Sequence, residues 1–125
     1  MASWFRNNEP VKHVSISDRA FQYGDGLFET IAIRGHKPRL WKYHVQRLAK
    51  GCERLRISMP DEDSLLQSLH DALRHGSAPT AYCVAKIIVT SGAGSRGYGR
   101  NLAAEPAVFF GVFEATREPL EFYRD

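Results

Sequence analysis

Between residues 41 and 55 the apolar side chains Trp41, Val45, Leu48, Cys52 and Leu55 recur at spacings of four and three, which puts them on one stripe of a helix. The spacing predicts a helix over about 42–56, and the period changes on both sides of it. Residues 27–34 (LFETIAIR) are β-branched and aromatic, and they end at Arg34-Gly35-His36-Lys37, a hairpin signal leading to a short strand over 38–41. Residues 82–90 alternate, with Cys83, Ala85, Ile87 and Val89 on one face and Tyr82, Lys86 and Thr90 on the other. Residues 107–113 read as a strand apolar on both faces. A second helix over about 61–75 is marked by Pro60, with Asp61, Glu62 and Asp63 in its first turn, where carboxylates complement the dipole. Its apolar face is Leu65, Leu66, Leu69, Ala72 and Leu73; Arg74 and His75 lie in its last turn, and Gly76 stands at the C′ position. Strand, strand, helix, helix, strand, strand is the order of an α+β fold: an antiparallel sheet with two helices on one face.

A chain of 125 residues, 43% hydrophobic and 25% charged, has room for one globular domain. We expect that domain over 1–115, with 116–125 opening a linker. The net charge is +3 and the pI about 9.0, but the cations are scattered. Without a basic run a nucleic-acid footprint lacks support, and no nucleic-acid partner is expected. Cys52 and Cys83 sit alone in apolar patterns, as buried free thiols of a reducing compartment do. There is no 18-residue apolar run and no apolar leader at the N-terminus, so no membrane partner and a cytoplasmic location are expected.

Few residues announce chemistry by themselves. Gly92-x-Gly94-x-x-Gly97 matches the dinucleotide string, but no helical period follows it to aim an N-terminus at a pyrophosphate. A glycine-rich hairpin loop, or an arm carrying Arg96 and Tyr98 to a ligand, are the other readings. Arg47 flanks the apolar stripe in the row His44, Arg47, Gly51, Arg54, and Gly51 leaves space beside it. Such an arginine can grip a phosphate or carboxylate with two bonds, or simply lie on the surface. His44 alone reads as a packed histidine. Serine, histidine and lysine positions form no hydrolytic or metal-binding set, and Lys86, mid-strand, is a remote candidate for a reactive lysine.

The string Ser17-Asp18-Arg19-Ala20-Phe21-Gln22-Tyr23-Gly24-Asp25-Gly26-Leu27-Phe28-Glu29-Thr30 resembles a signature of the fold-type IV pyridoxal-phosphate (PLP) enzymes, the aminotransferase class IV family. Gly35, then His44-x-x-Arg47-Leu48 and Gly51-x-x-x-Leu55, recur at that family's spacing. So do Lys86-Ile87-Ile88-Val89-Thr90-x-Gly92 and Ser95-Arg96-Gly97-Tyr98. Three motifs in order span residues 15–113. Within the family, LFET and the GSRGY arm are most similar to the aminodeoxychorismate lyases, which form 4-aminobenzoate and pyruvate on the way to folate. One departure is Ser91, where the family often has arginine.

The resemblance implies the small N-terminal domain of a PLP-dependent enzyme. Arg47 matches the arginine that binds the cofactor phosphate, and Phe28 a residue lining the substrate pocket. Arg96 and Tyr98 match an arm meeting the substrate carboxylate, often across a homodimer interface. The Schiff-base lysine is expected beyond Asp125, which leaves no catalytic residue in this chain and predicts inactivity for it alone. A D-amino-acid or branched-chain aminotransferase of the same family is the alternative, and a stand-alone basic binding module is a second.

Overall fold

The computed structural model describes residues 2–75, 82–93 and 105–114. Nine elements follow one another: β1 (Ala2–Arg6), β2 (Glu9–Pro10), α1 (Arg19–Tyr23), β3 (Gly26–Arg34), β4 (Lys37–Pro38), α2 (Trp41–Leu55), α3 (Glu62–His75), β5 (Tyr82–Thr90) and β6 (Ala107–Glu114). The strands form one sheet in the order β2-β1-β6-β5-β3-β4, every pair antiparallel. The long strand β5 lies between β3 and β6, in register with Gly26–Arg34 on one side and with 107–114 on the other.

Alternation along the strands decides which residues meet the helices. Ile31, Ile33, Cys83, Ala85, Ile87, Val89, Val108, Phe110 and Val112 all bury on the same face, against Leu48 and Cys52 of α2 and Leu65, Leu69 and Ala72 of α3. Each such aliphatic side chain contributes about 1.5–3 kcal/mol when fully buried. The second face, carrying Phe28, Lys86, Ile88, Phe109 and Trp4, has neither of the long helices on it.

The antiparallel sheet and both long helices stand where the sequence puts them, within a residue or so at each end. Three features differ. The strand expected over 38–41 is confined to Lys37–Pro38, because Leu40 takes a left-handed conformation (φ 56) and the helix begins directly after it, at Trp41. The N-terminal hairpin β1–β2 extends the sheet beyond β6, although residues 2–10 carry little alternation. Finally, a third helix, α1, occupies the middle of the Ser17–Thr30 string. Five residues are too few to show a helical period, so capping defines it instead. Asp18 accepts from the backbone N–H of Ala20 at 2.8 Å, and Gly24 (φ 71) ends it in the left-handed region.

Candidate functional site

β3 points Glu29 toward the helices, between Leu27 and Ile31 on an otherwise apolar face. A carboxylate there must find partners, since an unpaired buried charge costs several kcal/mol. It finds them on α2, where His44 and Arg47, three residues apart, share the side facing β3. Arg47 donates from Nε to Glu29 Oε2 and from Nη2 to Oε1, both at 2.9 Å, a two-pronged grip. His44 Nδ1 lies 2.6 Å from Glu29 Oε1. An ionised carboxylate only accepts, so the ring hydrogen belongs on Nδ1. His44 and Glu29 are buried, with side chains 2% and 5% exposed, whereas Arg47 is 56% exposed.

The guanidinium is thus anchored at one edge and open at the other. Its ring-facing contacts are with Tyr43, whose hydroxyl stands 3.5 Å from Nη1 and whose ring centroid lies 5.3 Å from Cζ. The hydrogen bonds that Arg47 donates to Glu29, and then the Glu29 charge, hold the Arg47 pKa above its ordinary high value, so the side chain is a permanent cation. Of the five guanidinium N–H groups, two go to Glu29 and one to Tyr43. The remaining N–H groups have no acceptor among the described residues. The donor set fits a phosphate, which takes N–H donors of a fixed cation readily.

Gly51 does not open a ligand space beside Arg47. The room left by its missing side chain is filled by Leu27, whose Cδ1 a Cβ at this position would strike.

Phe28 points to the other face of β3, 56% exposed, with Lys86 Nζ 4.2 Å above its ring centroid. Phe28 and Arg47 therefore lie on opposite sides of one strand. One edge of β3 is largely unpaired. On the side away from β5, β3 is paired with β4 only at Ile33 and Arg34, and Ala32 O accepts from Arg39 N. From Gly26 to Ile31 that edge has no strand partner among the described residues.

The Ser17–Thr30 string is tied to the other side of β3, toward β5. Asp18 Oδ2 accepts from Thr90 Oγ1 at 2.9 Å, and Thr90 Oγ1 accepts from Gly92 N at 2.9 Å. Arg19, buried, donates from Nε to Asp25 Oδ2 at 2.8 Å and lies 4.5 Å from the Tyr23 ring centroid. These bonds tie the start of β3 to the end of β5, at the root of the Ser95–Tyr98 arm. Arg96 and Tyr98 themselves lie outside the described residues. Glu29 is the buried partner of His44 and Arg47 that motif reading passed over. Its signal was present: an acid at an inward position of an apolar strand, facing a helix with histidine and arginine three apart.

Residues 26–125 match the amino-transferase class IV family. The chain belongs to that family. Over 108 residues it is 34% identical to the aminodeoxychorismate lyase of Vibrio harveyi, covering 86% of this chain and 38% of that protein. The crystal structure of 4-amino-4-deoxychorismate lyase from Pseudomonas aeruginosa superposes with a TM-score of 0.76 at 36% identity, over 97% of this chain and 43% of that one. A branched-chain amino acid aminotransferase from Escherichia coli gives 0.79 at 20% identity, over 90% and 41% of the two chains, a likeness that shows the fold. The chain thus spans about two-fifths of the length of these relatives. Class IV enzymes depend on PLP.

Proposed function

We propose that this chain supplies the phosphate anchor and one wall of the substrate pocket in a PLP-dependent aminodeoxychorismate lyase. The carrying observation is Arg47: a permanent cation clamped on a buried carboxylate, with outward N–H donors beside the open edge of β3. The identities of 34% and 36% to two lyases support this substrate class over the aminotransferases. In this reading Arg47 holds the phosphate of PLP, Glu29 and His44 keep its fork in one orientation, and Phe28 walls the substrate pocket. Lys86 joins Phe28 as a cation for a substrate carboxylate, a role its position over the ring supports. Arg96 and Tyr98 would meet substrate from the arm, across the interface of a homodimer. Bound PLP would supply the electron sink that bond cleavage needs. In this reading the domain would span 1–115, 116–125 would open a linker, and the Schiff-base lysine would belong to a second domain.

The test is a substrate panel on the complete product of the reading frame. Release of 4-aminobenzoate and pyruvate from aminodeoxychorismate is expected. Exchange of an amino group between an amino acid and a keto acid, without that release, would assign the protein to the aminotransferases instead. Arg47→Ala should raise the Kd for PLP by about tenfold or more, the loss of a charge-assisted contact. Unchanged cofactor affinity would remove Arg47 from the phosphate site.

A further inference from the structure

Taken as a phosphate anchor, Arg47 has few donors to offer. Glu29 accepts from Nε and from one side of Nη2, and its charge offsets that of the guanidinium. With one further N–H on the Tyr43 hydroxyl, a single outward N–H remains on each Nη nitrogen. Those two donors can meet only part of a phosphate, whose oxygens each accept several hydrogen bonds, and the guanidinium stands half in solvent, where charge alone holds weakly. Lys42 on the same turn of α2 is turned to Glu62, at 3.1 Å.

Tyr43 stands one turn before Arg47 on the same side of the helix, and it is 53% exposed. Its ring is held from two directions. The guanidinium carbon lies 5.3 Å from the ring centroid, and the buried His44 ring meets it edge-on, 6.0 Å between centroids at 71°. Toward Nη1 the hydroxyl oxygen accepts, so its own hydrogen is left to donate, and that hydrogen has no acceptor among the described residues. The Nη1 contact, at 3.5 Å, is at the long limit of a hydrogen bond, so an incoming oxygen that takes Nη1–H displaces little. A phosphate oxygen on Nη1 then lies beside the phenol, which can donate to that oxygen or to its neighbour on the same phosphorus. We propose that Tyr43 is a second phosphate ligand, its hydroxyl donating to the group that Arg47 grips. This role rests on the phosphate reading of Arg47 and extends it to a residue outside the His44-x-x-Arg47 row. A tyrosine that merely covered the guanidinium would need its ring and not its hydroxyl, and that difference can be measured.

The cofactor-free form of the complete product of the reading frame is titrated with PLP and with pyridoxal, which has the same ring and aldehyde but no phosphate. Tyr43→Phe keeps the ring over Arg47 and removes the donor. It should raise the Kd for PLP about fivefold, the loss of one partly exposed hydrogen bond to a charged group, and leave the Kd for pyridoxal as it was. Inorganic phosphate, added as a competitor of PLP, should lose potency in the variant by a similar factor. Undiminished PLP affinity in Tyr43→Phe, beside an Arg47→Ala variant that has lost it, would overturn the role of Tyr43 and leave that of Arg47 standing. Undiminished affinity in both variants would remove the phosphate from α2 altogether. An equal loss for PLP and pyridoxal would also overturn the assignment, because Tyr43 would then be shaping the pocket around the ring and not meeting the phosphate.

Discussion

Glu29 and Arg47 share two hydrogen bonds, yet the two residues contribute unequally to the fold. Removing Arg47 exposes a carboxylate that still has His44, and the lost pair was half in solvent, where an ion pair is worth about 0–1 kcal/mol. Removing Glu29 leaves the Nδ1–H of a fully buried histidine without its acceptor, a loss of about 1–3 kcal/mol, with the lost Arg47 bonds added. Urea unfolding should therefore rank Glu29→Ala as the more destabilising, by about 2 kcal/mol against about 0.5 for Arg47→Ala. The reverse order would mean that His44 has a second acceptor strong enough to replace Glu29. For cofactor binding the ranking inverts, because Arg47 donates to phosphate and Glu29 acts only by orienting it.

Among the elements, α1 and α3 depend on their ends. Gly24 closes α1 at φ 71 with open space around it, so a side chain there clashes with nothing and the cost is conformational alone. Gly24→Ala should lower stability by about 1 kcal/mol, and Gly24→Asn by less, since asparagine tolerates the left-handed region. Equal effects would show that the conformation of residue 24 is not what limits the turn. Asp61 caps α3, accepting from Ser64 N at 2.9 Å and Ser64 Oγ at 2.8 Å. The backbone and then the side-chain hydrogen bond from Ser64 hold the Asp61 pKa below the ordinary carboxylate value. A depressed carboxylate pKa stabilises the fold above the ordinary value, about 3.9, and that contribution fades as pH falls through the folded pKa. Acid titration followed by Cα chemical shifts should thus show the first turn of α3 loosening at the low end of the carboxylate range. Asp61→Asn should remove that step while Ser64 stays in place.

At the scale of the molecule, Cys52 on α2 and Cys83 on β5 belong to one core that joins both long helices to the sheet. Burial pushes both thiol pKa values up, and the thiolate is the species that reacts. Native protein near pH 8 should resist thiol labelling, and both cysteines should then label at one common rate, set by opening of the whole core. Cys52 reacting well before Cys83 would mean that α2 leaves the sheet as a separate unit. The same shifts predict a decline in stability as pH rises beyond about 8.5, where the unfolded thiols ionise and the buried ones do not. None of the helices among the described residues is long and apolar enough to cross a membrane. Four of the 17 lysines and arginines, Arg19, Lys42, Arg47 and Arg74, each face an acid.

Side-chain periodicity is a local property, and where it ran long enough it determined the elements. Helices α2 and α3 follow from spacings of three and four and strand β5 from alternation, because each needs a continuous apolar face to bury; β3 and β6 were legible from β-branched, aromatic and apolar composition. The Ser17–Thr30 string, with the His44-x-x-Arg47 row, also identified the family before any contact was visible. Periodicity could not reach α1 or the β1–β2 hairpin, whose few residues are held by capping bonds and by pairing with a strand about a hundred residues away. Nor could it join Glu29 to His44 and Arg47. Fifteen and eighteen residues separate them along the chain, and only the packing of α2 across β3 brings the carboxylate under the guanidinium. The tertiary structure likewise decided that Phe28 and Arg47 lie on opposite sides of β3 and that the β3 edge from Gly26 to Ile31 has no strand partner among the described residues. That depends on strand order, and a strand's own sequence does not say which of its sides will be left unpaired.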